Sequence, residues 1–198
     1  MNMQPLEITG LSRRRFLGAV LAGAGVVAAL GRSARATAGE ELGSLNGARL
    51  LTLSDAHAVT LAAFAESVLP QGPGLPSIGD THLIQRFDEE FFFADAAVRA
   101  DMQTALTALE WLPVASGILH HFSTLPLGRR AEFVAQLVQS RFETPRSIAN
   151  SLRVVVHFFH YAHPATWALS GYDGPFSHLG PQLSEQRLHY LALTKAKA

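Results

Sequence analysis

The sequence predicts an all-α fold, a single-domain bundle of five or six helices with an irregular C-terminal loop region, preceded by a signal peptide. Three observations carry this prediction. Apolar residues recur at spacings of three and four through consecutive segments from residue 54 to residue 161, the period of one helix face. No stretch alternates apolar and polar with the period of two that a half-buried strand requires. Prolines and glycines cluster between the periodic segments, where they stop helices and allow turns.

The first element is the leader SRRRFLGAVLAGAGVVAAL, Ser12 to Leu30. Its Gly23-Ala24-Gly25-Val26-Val27-Ala28 fits G-x-G-x-x-A, but arginines follow at once where a dinucleotide fold needs a continuing βαβ unit. The apolar run Phe16 to Leu30 would reach about 22 Å as a helix, short of the roughly 30 Å of a bilayer core, so no stable transmembrane span is expected. A basic start, a short apolar middle and small residues at Ala34-Arg35-Ala36 or Ala36-Thr37-Ala38 instead make an export signal. Ser12, Arg13, Arg14, Phe16 and Leu17 resemble the twin-arginine pattern, S/T-R-R-x-F-L, a receptor-read address for cargo that is already folded. The expected division is residues 1–38 as signal and 39–198 as the helical domain.

Glu40 to Leu53 is a lead-in without a clear period. Ser54 is placed to cap a helix with Asp55 in its first turn and Val59, Leu61, Phe64, Ala65 and Val68 on its apolar side, stopped by Pro70. Gln71 to Asp80 is a turn cluster, after which Asp80 or Thr81 can cap a helix carrying Leu83, Ile84, Phe87, Phe91 and Phe92. From Asp95, the spacing of Val98, Met102, Leu106, Leu109 and Leu112 is helical, with Pro113 expected to end or kink it. A helix after Leu125-Pro126 places Phe133, Val134, Leu137, Val138 and Phe142 on one face. Thr144-Pro145 is a cap and first-position pair for the next helix, through Leu152, Val156 and Phe159 to Tyr161. A short helix is expected near Ser184 to Leu193.

Composition excludes several functions. The chain has no cysteine, which rules out disulfides, thiolate metal sites and covalent haem attachment. Behind the leader, eleven basic residues face fifteen acidic ones, a net charge of about −4, which argues against nucleic-acid binding. His157, His160 and His163 fall at i, i+3 and i+6; one metal could touch two of them, and no carboxylate lies nearby to orient the rings. They read as helix-end histidines, with His163 capping the next turn, and His120-His121 as side chains pointing apart. Asp88-Glu89-Glu90 reads as a solvated face beside core phenylalanines, and Phe91-Phe92-Phe93 cannot all enter one core stripe. No catalytic, cofactor-binding or metal site is expected in this chain.

An export signal for folded cargo, on a chain with no means of holding a cofactor, makes sense if another polypeptide holds it. The segment HPATWALSGYDGPF contains Pro164, Trp167, Gly171, Tyr172, Gly174 and Pro175 in the order P-x-x-W and G-Y-x-G-P. With VLPQGPGLPS at Val68 to Ser77 and a long final apolar helix, this resembles the gluconate 2-dehydrogenase subunit 3 family, over roughly Leu53 to Pro181. The resemblance implies a non-catalytic small subunit of an FAD-dependent dehydrogenase. Its partners would be a large flavoprotein subunit of the glucose-methanol-choline type, which binds FAD and oxidises an alcohol or sugar, a c-type cytochrome subunit in many complexes, and the twin-arginine translocase. It further implies a periplasmic place at the membrane surface, with the large subunit carried across as a hitch-hiker. Trp167, Gly171, Tyr172, Asp173, Gly174, Pro175 and Phe176 would form the partner interface, with Trp111 and the Phe91 to Phe93 cluster as further aromatic anchors. The rival expectation is a free-standing all-α periplasmic enzyme or ligand- or metal-binding protein using His157 and His160.

Overall fold

The computed structural model describes residues 49–174 and 183–195. Among these the chain is all-α, with seven α-helices and one 3-10 turn. They are α1 (Asp55–Val68), α2 (Leu83–Phe93), α3 (Ala96–Ala115), the 3-10 turn (Phe122–Thr124), α4 (Leu127–Val138), α5 (Glu143–Tyr161), α6 (Pro164–Ser170) and α7 (Glu185–Lys195). The count exceeds the expected five or six because α6 is a separate short helix. Its start is fixed by His163, whose ring Nδ1 accepts from the Ala165 N–H, with Pro164 in the first turn.

α1 is the central helix, touching α2, α3, α4 and α5. Ala58, Thr60, Leu61, Ala63, Phe64 and Ala65 are buried on almost every side of it, as befits a helix surrounded by others. Ser54 caps it as expected, its hydroxyl accepting from the His57 N–H at 3.2 Å. Around it, Phe64 meets Phe122, Phe122 meets Phe133, and Phe87 meets Phe91 and Phe159. One continuous core results.

Four expectations about helix ends are corrected. α2 is capped by neither Asp80 nor Thr81 but by His82 in the left-handed region at φ 48°. Asp80 instead closes a turn on Ser77, accepting from its N–H and hydroxyl at 2.8 Å each. Pro113 does not end α3, which runs on two residues to Ala115, at the cost of the one bond the proline cannot donate back to the Leu109 carbonyl. α4 stops at Val138, so Phe142 lies off its face and becomes the cap residue of α5. Thr144 and Pro145 therefore sit inside the first turn of α5, where the N–H groups lack helical partners anyway and proline is tolerated.

Candidate functional site

The acidic run on α2 departs most from its expected role. Asp88 is 0% exposed and Glu89 is also buried, while Glu90 alone lies at the surface, so the solvated face predicted for this run is wrong. The physical reason is a set of donors from distant parts of the chain. Asp88 accepts from the backbone N–H of Leu51, Thr52 and Leu53 at 2.8, 2.8 and 2.7 Å, and from the Tyr190 hydroxyl at 2.7 Å. These bonds replace water for a buried carboxylate. Burial and the bond to Asp88 push the Tyr190 phenol far above its ordinary value, so it stays a donor. Glu89 lies between Arg86, at 3.0 Å, and Arg187, at 3.5 Å. The lead-in, α2 and α7 thus converge on two adjacent carboxylates. No sequence period signals this, because the donors are backbone groups and a tyrosine 102 positions away.

The three histidines at the end of α5 do not act as one group. His157 is half-buried and its Nδ1 donates to the Arg153 carbonyl at 2.7 Å. His160 stands in the last turn of α5, as expected, and is buried there against Thr81, Nδ1 to Oγ1 3.3 Å. Thr81 has the Ser77 and Ile78 carbonyls for its own proton, which leaves His160 as the donor. His163 caps α6 as expected and meets the His82 ring edge-on at 5.8 Å. Burial lowers the affinity of His160 for a proton, helped by His157 and His163; burial, His82, Arg86 and Arg187 do the same to His163, against Asp80. Among the described residues no group of three or more His, Cys, Asp or Glu is placed to hold a metal ion. His120 is exposed, while His121 packs edge-on against half-buried Trp111 at 4.3 Å.

The C-terminal aromatic segment folds into a clasp. Gly171 ends α6 in the left-handed region at φ 66°, and the Tyr172 N–H returns to the Trp167 carbonyl at 3.0 Å. The Tyr172 ring meets the Trp167 ring edge-on at 5.1 Å yet remains 40% exposed. Gly174, at φ 116°, comes so close that a Cβ there would sit 3.2 Å from the indole. Trp167 Nε1 donates to the Ala162 carbonyl at 3.3 Å, pinning the indole to the end of α5. Trp167, Gly171, Tyr172 and Gly174 are therefore brought together, and Asp173 is exposed between them. Pro175 and Phe176 lie outside the described residues, as do Ser12, Arg13, Arg14, Phe16 and Leu17 of the leader.

Of the phenylalanine run, Phe91 packs on the core, Phe92 meets Tyr190, and Phe93 is exposed. A feature absent from the sequence reading is an open groove of about 820 Å³ between α1, α4 and α5, walled by Val68, Ala131, Val134, Val138, Val154 and Phe158. Arg153 and His157 also line it. Compared with known proteins, the chain matches no family model, no curated protein and no solved structure. Among the described residues no helix is long and apolar enough to cross a membrane.

Proposed function

We propose that this chain is the non-catalytic small subunit of an exported FAD-dependent alcohol or sugar dehydrogenase of the gluconate 2-dehydrogenase type. It stabilises the flavoprotein large subunit and carries it through twin-arginine export to the periplasmic side of the membrane. FAD belongs to the large subunit, and a c-type cytochrome subunit takes the electrons where one is present. The observation that carries this reading is the Trp167–Tyr172 clasp. Two glycines with positive φ hold an aromatic ring against an anchored indole while leaving it open to a partner. Such a surface loses little conformational freedom on docking, the general advantage of a preorganised anchor. The order P-x-x-W and G-Y-x-G-P from Pro164 to Pro175 and the Ser12-Arg13-Arg14-Arg15-Phe16-Leu17 run add family resemblance and an export address.

The test is titration of the proposed flavoprotein large subunit with wild-type and Tyr172→Ala protein, next to far-UV circular dichroism. The variant is expected to bind about 2 kcal/mol more weakly, as at an interface hot spot, with helix content unchanged. Intact binding together with lost helix would make the clasp a purely internal fastening.

A further inference from the structure

We infer that the groove between α1, α4 and α5 seats a helix of the flavoprotein partner, one whose apolar stripe is bordered by Asp or Glu. The inference rests on the small-subunit reading and adds a second, separate contact to the clasp.

The groove has the form of a missing bundle position. Along one wall α4 presents Ala131, Ala135 and Val138, spaced i, i+4 and i+7; along the other α5 presents Val154 and Phe158, spaced i and i+4. These are the ridges that pack against a neighbouring helix, and small residues on α4 let its axis approach closely. α4 has 12 residues and spans about 18 Å, enough for roughly three turns of an added helix. Val154 and Phe158 are each 66% exposed, so one wall of this apolar surface lies open to water.

The lining also selects its occupant. Among the described residues Arg153 and His157 are its charged or titratable members and no carboxylate lines it, so an acidic flank complements it. A second copy fits poorly, since a two-fold contact through this strip sets the same described lining on both sides and offers Arg153 no carboxylate. A small molecule fits poorly too, because the groove is open along its length and ligand sites bury most of their ligand. The surface is continuous with the proposed interface. The His157 ring stacks on Tyr161 at 6.0 Å, and Trp167 is tied to the next residue, Ala162. One partner can therefore cover both groove and clasp.

The experiment titrates the same flavoprotein with Phe158→Asp, Arg153→Glu and Arg153→Lys, each checked by circular dichroism and size-exclusion chromatography. Phe158→Asp and Arg153→Glu are expected to weaken binding at least about tenfold, and Arg153→Lys to bind nearly as wild type. If Phe158→Asp binds like wild type while Tyr172→Ala does not, the groove inference falls and the subunit reading stands. If the wild-type chain fails to bind the flavoprotein at all, the subunit reading falls and takes the groove with it. A wild-type dimer that Phe158→Asp converts to monomer identifies a second copy as the occupant and overturns the inference.

Discussion

Replacing Asp88 by Asn keeps the side chain's shape but puts an NH2 group where an oxygen accepts hydrogen bonds. Three backbone N–H groups and the Tyr190 hydroxyl then compete for one remaining oxygen, in a site shut off from water. Asp88→Asn is expected to destabilise the fold by about 3 kcal/mol, since it orphans buried donors that were bonded to a charged acceptor. Urea denaturation followed by circular dichroism measures it. Tyr190→Phe removes one bond and leaves the backbone donors satisfied, so about 1 kcal/mol is expected from the same assay. At this scale the sequence was legible where chemistry is local and opaque where it is not. Ser54 as a cap and His163 as a cap could be read because the groups they bond lie two or three residues away. Asp88 could not, because a carboxylate among charged neighbours has the same signature whether water or a distant backbone receives it.

The junction of α2, α5 and α6 sets the expected response to acid. His82 caps α2, His160 lies beneath it on α5, and His163 caps α6, with Arg86, Arg187 and Asp80 around them. Burial first, then His157 and His163 around His160 and His82, Arg86 and Arg187 around His163, hold these two rings below the ordinary imidazole value of 6.5, and burial does the same to His57. As pH falls below 6.5 the unfolded chain therefore takes up protons before the folded one does. Stability is fully present above that value and lost as pH falls through the lower folded values. Asp80, whose Ser77 bonds lower its value, adds a loss of the same sign at more acid pH. Urea midpoints measured between about pH 7.5 and about pH 5 should fall, and His160→Gln should flatten that fall. The helices themselves were largely legible, since α1 through α5 each carry a long apolar period. α6 was not, because its seven residues give a period too little length, and only the His163-Pro164 start marks it.

For the molecule as a whole, the proposed role joins a leader and a docking surface in one chain. Arg13→Lys with Arg14→Lys is expected to block export of this chain and to strand the flavoprotein in the cytoplasm, because Lys keeps the charge but loses the planar guanidinium. Cell fractionation with a dehydrogenase assay reads both effects. A partner still exported at its normal level would have its own route. The candidate interface was legible only in part. The Gly-Tyr-Asp-Gly stretch announced a stiff turn with aromatic rings to present, but the groove arises from three helices meeting, and no single segment encodes it.

The Asp88 node also dates the moment at which this part of the fold closes. Its backbone donors and its acceptor lie within 37 residues of one another and are made early, whereas the Tyr190 hydroxyl belongs to a residue synthesised 102 positions after Asp88. At ordinary ribosomal speeds that interval is roughly 5 to 20 s. Through it the nascent chain has the Asp88 carboxylate without its phenol and Phe92 without the ring that later covers it. The order of the sequence therefore makes the phenol the late donor to this carboxylate, and a chain cut short before Tyr190 is left without it.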